Sequence, residues 1–315
     1  MAALKLKTVT RTQGNNAALK TGAVSPRGFE FDFVEVDPLI AAFRRMVRAL
    51  EFDVCEMAIT TYICARAHGK RFTALPIFLV RAFHHGAILI NDKAGIDSPK
   101  DLEGKRVGVN RGYTVTTGVW ARAILQHEYG VDLNRITWVL SGDEHVAEYR
   151  PPGNVVPIEP GKRLAEMVAS GELVAAIGAE VDHPDVRPLI PNALEAGLEA
   201  LRTRGHYPIN HLVVAREDLL AEHPQLGPAI FDAFVHAKRL YVERLKNGQI
   251  EKPSAADDVH KRVMQITGAD PLPYGVWPNQ RTIEELIHYA LEQGIITRPV
   301  RLEDLFARNT LDLAG

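Results

Sequence analysis

Cysteine is almost absent: 315 residues contain two, Cys55 and Cys64. That count excludes a disulfide-scaffolded domain and a cysteine-built metal knuckle. Both fall among apolar neighbours, on an expected strand and the helix after it, so buried free thiols are expected. An excess of charge of one sign is also lacking. Lys and Arg number 37 against 39 Asp and Glu, a net charge of −2, with no run of like charges; such a surface is not that of a nucleic-acid binder. No apolar run approaches the ~18 residues of a membrane span. The start, Met1 to Thr10, alternates polar and apolar residues with neither a hydrophobic signal core nor a small-residue cleavage site, so a cytoplasmic location is expected. No Gly-x-Gly-x-x-Gly or Walker loop follows an expected strand, and no nucleotide cofactor is expected.

What is present is ordinary globular material, 46% hydrophobic and 24% charged. The length exceeds what one core usually organises, so two lobes are expected. Strands are expected at Leu4–Val9, 31–36, 53–59 and 72–79. Helices starting at Pro38 and Thr60 separate the later ones, a β/α alternation that implies a mostly parallel sheet. A second α/β run covers strands 106–109, 136–140 and 173–177 with helices 116–129 and 161–171. Past Asp182 the chain reads as irregular until a returning strand at 209–215. Helices then follow at 224–245, 255–266 and 282–293, the last with Thr282 and Glu285 as a capping box. Two apolar crossings, near 86–91 and 207–215, divide the chain. Residues 1–90 and 210–315 are expected to form one lobe and residues 92–205 the other.

The segment 53–91 carries the chemistry. Arg81, His84 and His85 stand between two apolar strands, where a cation and two imidazoles must reach water, an acid or a ligand. A ligand cleft at such a crossing, gripping an anion, is the reading that follows. Arg81 is the expected carboxylate clamp, because its planar fork binds carboxylates through two parallel bonds. His85 and His211 are the expected acid–base groups, since imidazole titrates near neutrality; His84 is a neighbouring contact. Glu56 and Glu180 are alternatives for the second acid–base group. Arg111, Tyr113 and Thr114 lie between a strand and a helix, and Thr60 and Thr61 open another helix; such sites attract anions. Tyr274 to Trp277 could wall an aromatic ring.

Several motifs resemble the 4,5-dihydroxyphthalate decarboxylase family. They include Glu56 with Thr60-Thr61-Tyr62, Pro76-Ile77-Phe78, and Arg81-Ala82-Phe83-His84-His85. Trp120-Ala121-Arg122, Leu125 to Gly130 and Thr137-Trp138-Val139 follow in the same order. Tyr207 to His211, Pro273-Tyr274-Gly275 and Tyr289 to Gly294 extend the likeness over almost the whole chain. The resemblance implies an α/β, two-lobed periplasmic-binding-protein-like type II fold with two crossing segments. It also implies a carboxy-lyase that releases CO2 from a hydroxylated, phthalate-like acid. Three places depart from the family pattern: Thr12 to Asn16 stand where acids are usual, His84 precedes His85 where Arg is usual, and Gly178-Ala179-Glu180 follow the strand ending at Ile177.

Such a lyase needs a proton donor for the ring carbon, a base near the hydroxyls and a cation for the remaining carboxylate. No organic cofactor is expected. A catalytic divalent metal held by His84, His85, His211, Glu56 and Glu180 is the alternative, weakened by the divergence of adjacent strand residues and the lack of a His-x-x-x-His pair. The rival class is a non-catalytic solute-binding protein for a small carboxylic acid. Expected partners are the small anionic aromatic substrate and, as a further option, a second copy of the chain.

Overall fold

The computed structural model describes residues 4–315; Met1 to Ala3, included above in the opening alternation and the first lobe, lie outside the described residues. In chain order the elements are β1 (Leu4–Val9), α1 (Ala17–Lys20), β2 (Phe29–Phe33), α2 (Ile40–Ala49), β3 (Val54–Ala58), α3 (Ile59–Ala67), β4 (Phe72–Arg81) and β5 (Ile88–Asn91). Then come β6 (Arg106–Val109), α4 (Thr116–His127), β7 (Thr137–Leu140), β8 (Val155–Pro157), α5 (Leu164–Ala169), β9 (Ala175–Ile177), β10 (Val186–Pro188) and α6 (Ala193–Arg204). The chain finishes with β11 (Ile209–Arg216), α7 (Glu217–Glu222), α8 (Leu226–Lys246), α9 (Ala255–Thr267) and α10 (Gln280–Glu292).

Two compact α/β units result. The first takes the chain through Arg81, then Ile209–Glu284 and Val300–Gly315; the second takes Ala82–Pro208 and Glu285–Pro299. This division differs from the sequence reading at two places. The segment 82–90 joins the second unit because β5 pairs antiparallel with β9 and β10. Residues 285–299 join it because the end of α10 packs there, with Tyr289 against Trp120 at 5.7 Å.

The first unit is built on a sheet in the order β2-β1-β3-β11-β4. Strand β3, Val-Cys-Glu-Met-Ala, is buried at every position, as a central strand covered on both faces must be. Strands β1, β2 and β3 are parallel, while β11 runs antiparallel to β3 and β4. The second unit has a sheet in the order β10-β5-β9-β6-β7-β8, with β6 to β9 parallel and β5 antiparallel. Each sheet is therefore mixed, and the antiparallel strands include those that follow the crossings.

Local differences have local causes. A 3-10 turn occupies His85–Ala87, so the apolar crossing expected near 86–91 becomes strand only from Ile88. The stretch past Asp182 is not irregular: Leu194, Leu198 and Leu201 recur at helical spacing in α6, which Asn192 opens in the left-handed region and Gly205 closes. Prolines 188 and 191 mask that pattern. Helix α10 starts at Gln280, directly after a 3-10 turn, so Thr282 sits inside its first turn and is not a cap. Cys55 and Cys64 are buried and free. Among the described residues, no helix is long and apolar enough to cross a membrane.

Candidate active site

Strands β3 and β11 bring together two polar residues 155 positions apart. Val213 stands opposite Glu56 and His211 opposite Ala58, so Glu56 and His211 are diagonal neighbours on one face of the sheet. His211 Nδ1 lies 2.6 Å from Glu56 Oε1. The other carboxylate oxygen accepts from the Arg11 backbone N–H at 2.9 Å and from Gln13 Nε2 at 3.5 Å. Glu56 is fully buried, and a carboxylate surrounded by donors is an acceptor only, so the shared proton belongs to His211 Nδ1. Phe43 meets the imidazole edge-on at 5.2 Å between centroids. The ring is thereby held by one nitrogen and by a wall, with Nε2 left for chemistry.

The loop that supports Glu56 is itself pinned. Asn16 receives the Gln13 N–H at 2.8 Å and donates to the Arg11 carbonyl at 2.8 Å; Asn15 donates to the Leu79 carbonyl at 2.9 Å. Gly14 lies on the Tyr241 ring, where a Cβ would come within 2.3 Å of Cε2. The loop that lacks acids thus supplies Gln13 as one donor to an acid, beside the Arg11 N–H that precedes it.

The same loop borders a groove of about 940 Å³ lined also by α8 and α9. Inside it Tyr241 donates to Asp257, and His260 Nδ1 lies 2.8 Å from the Tyr241 hydroxyl. Burial pushes His260 down to about 4, against the opposing pull of the Asp257 charge. Because its folded value lies below the ordinary imidazole value, the stabilisation is complete above pH ~6.5 and is lost as pH falls through about 4. Urea unfolding at pH 7, 5.5 and 4.5 should show a loss of about 2–3 kcal/mol from this group. H260Q should flatten that limb; parallel profiles for the two proteins would refute the assignment.

Arg81 is buried and donates to Asn279 Oδ1 and, at 3.4 Å, to the Pro273 carbonyl. These partners lie in its own unit and differ from the ligand carboxylate expected for it. Thr60 and Thr61, both fully buried, lie in the first turn of α3, which has no side-chain cap. The Thr61 hydroxyl has no hydrogen-bond partner among the described residues. Tyr274 is fully buried beneath Lys238, whose ammonium lies 4.6 Å from its ring centroid, whereas Trp277 is exposed.

In the second unit His84 and His85 are both buried at the start of the 3-10 turn. His85 Nε2 lies 3.0 Å from Glu128 Oε2, and Arg204 holds the other oxygen at 2.5 Å. Burial alone would raise the Glu128 carboxyl, but the bonds from His85 and Arg204 outweigh it and bring the group down to about 2. His85 thus has a carboxylate–imidazole pair of its own, separate from that of His211.

The loop from Arg111 to Thr114 already holds an anion, and it is the chain's own. Glu144 accepts from the backbone N–H groups of Tyr113 and Thr114 and, at 2.6 Å, from the Thr114 hydroxyl. Gly112 permits this: a Cβ there would fall 2.6 Å from Glu144 Oε2. Beneath the loop, fully buried Arg122 donates to the Tyr113 carbonyl at 2.7 Å and stacks on the Tyr113 ring at 3.8 Å. Sequence reasoning missed Glu128, Glu144, Asn279 and Gln13 as partners. Glu180 is exposed in the loop after β9.

No protein-family model matches the chain. It is 29% identical to a 4,5-dihydroxyphthalate decarboxylase from Comamonas testosteroni, over 99% of both chains. It is 36% identical to a 4,5-dihydroxyphthalate decarboxylase from Pseudomonas putida, over 51% of this chain and 64% of that one. Among solved structures, the periplasmic aliphatic sulphonate-binding protein SsuA from Escherichia coli matches with a TM-score of 0.55 at 11% identity, over 99% of this chain and all of that one. The desulfurization enzyme DSZB matches with a TM-score of 0.56 at 15% identity, over 98% and 99%. The chain is thus similar over 99% of its length to one 4,5-dihydroxyphthalate decarboxylase, and it is built on the periplasmic-binding-protein-like fold.

Proposed function

We propose that the protein is a carboxy-lyase that removes CO2 from a hydroxylated aromatic acid of the 4,5-dihydroxyphthalate type, without an organic cofactor. The observation that carries the reading is the Glu56–His211 pair, a buried carboxylate fixing the tautomer of an imidazole, in a full-length relative of such decarboxylases. Release of the phenolic proton para to the leaving carboxylate to solvent water pushes electron density onto the carbon that bears it. His211, its Nδ1 proton held by Glu56, takes a proton from solvent at Nε2 and delivers it to that carbon. The carbon–carbon bond then breaks, its electron pair restores the aromatic ring, and CO2 departs. One proton is consumed per turnover, and the phenol proton returns to the product.

Glu56 is the positioning residue in this scheme, because its two oxygens are occupied by His211, Arg11 and Gln13. The uncapped start of α3 opens immediately after Ala58, the residue opposite His211, and offers backbone N–H groups at the positive end of the helix dipole. It suits the substrate's retained carboxylate. Arg81 and the Arg111–Thr114 loop take no part in the scheme, since each is engaged within its own unit.

Incubation with 4,5-dihydroxyphthalate and with para-hydroxylated benzoates in D2O, with and without chelator, tests the proposal. One CO2 and one ring deuterium per product, insensitive to the chelator, are expected. Tight binding of these acids with no CO2 release would give the protein to the solute-binding class, to which the sulphonate-binding neighbour belongs. Turnover abolished by the chelator and restored by metal would keep the lyase and overturn its metal-free form.

A further inference from the structure

We propose a divalent transition-metal site, Zn2+ foremost, formed by His127, His288 and Glu292 in the second unit. His127 is the last residue of α4, and His288 and Glu292 are one turn apart at the end of α10, so they share a helix face. His127 Nε2 lies 2.8 Å from Glu292 Oε2, and His288 Nε2 lies 3.3 Å from Glu292 Oε1. The three ligand atoms all fall within 4.8 Å of one another. Metal–ligand bonds of about 2.1 Å in a tetrahedron separate donors by roughly 3.4 Å, so the set closes on an ion with only side-chain adjustment.

Two imidazoles and a carboxylate select zinc and its first-row neighbours over magnesium or calcium, which prefer all-oxygen shells. The side chains remain 35%, 58% and 29% exposed, leaving a coordination position for water. The His127 ring lies over Tyr289 at 4.8 Å between centroids, which restricts its swing before metal arrives. A bound ion ties the last turn of α10 to the last turn of α4. It would also adjoin Glu128, the carboxylate that holds His85.

Metal-stripped protein titrated with Zn2+ against a chromophoric chelator should bind one equivalent, with a zinc-dependent rise in Tm. H127A, H288A and E292Q should each weaken binding by about tenfold or more and remove the Tm rise. Co2+ in place of Zn2+ should give visible absorption bands that the same variants lose. These positions are exposed, and far-UV circular dichroism of each variant checks that it is folded. Absence of zinc binding by the wild type, or binding that survives all three substitutions, would overturn the site. Binding lost in H211A but kept in H127A would place the ion on the Glu56–His211 pair and overturn it equally. Since the readout is occupancy and not turnover, the result stands apart from the decarboxylase proposal.

Discussion

Exchanging His211 for alanine should lower kcat for decarboxylation by about 10²–10⁴-fold, the usual range for loss of a positioned acid–base group, with KM little changed. E56Q should come close to the same loss although no atom that meets substrate is altered. The amide keeps one oxygen and gains an NH2. If the NH2 faces His211, Nδ1 must become the acceptor and the ring's one proton sits on Nε2, leaving a neutral imidazole that is a far weaker acid than the doubly protonated ring; if it faces Arg11 N–H, two donors oppose each other. The kcat-against-pH profile of E56Q should therefore move together with its magnitude, which a merely structural defect would not produce. E56D, one methylene shorter, should recover part of the rate because the charge and both acceptors survive. Wild-type kcat and pH dependence in E56Q would remove Glu56 from the mechanism, and full activity in H211A would end the imidazole scheme.

Both members of that pair were visible in the sequence as ionisable residues on expected strands, Glu56 within 53–59 and His211 within 209–215. Their partnership was not visible, because it depends on β11 returning antiparallel beside β3 in one particular register, which no local pattern states. The same limit explains the rest. Arg81 stood out at the end of β4, but Asn279, which receives its guanidinium, is 198 residues away. The Arg111–Thr114 turn was legible as an anion cradle from its place between strand and helix. That Glu144 fills it was not, since nothing in Ser141-Gly142-Asp143-Glu144 marks a residue that folds back over 31 positions. The acid-poor loop from Thr12 to Asn16 was read for what it lacks, whereas its Gln13 and the Arg11 N–H just before it act as donors to Glu56. Periodicity reports burial, and register and long-range pairing decide chemistry.

Arg122 should dominate the stability of the second unit, with R122A costing about 3–5 kcal/mol. Its side chain is fully buried, and burial holds its guanidinium below the usual arginine range, so the charge is retained at a cost. What offsets that cost is a set of fixed partners: the Tyr113 carbonyl at 2.7 Å, Gln293 Oε1 at 2.8 Å and the Tyr113 ring. Gln293 in turn donates to the Val119 carbonyl at 3.0 Å, which ties the segment after α10 to α4. Alanine leaves two buried acceptors unsatisfied and a cavity beside Trp138, whose ring lies 5.7 Å from the guanidinium. R122M refills the volume and should cost less than R122A, since the cavity contribution disappears while the unsatisfied acceptors remain. R122K keeps the charge but cannot reproduce the fork that reaches Tyr113 and Gln293 together, and about 1–3 kcal/mol is expected. Urea unfolding followed by tryptophan fluorescence separates the units, because Trp120 and Trp138 are buried in the second while Trp277 is exposed in the first. The buried-tryptophan transition should move to lower urea in the order R122K or R122M before R122A. If all three variants unfold within about 1 kcal/mol of wild type, the tie between the Tyr113 loop and the segment after α10 carries no stability, and Arg122 is held there for another reason.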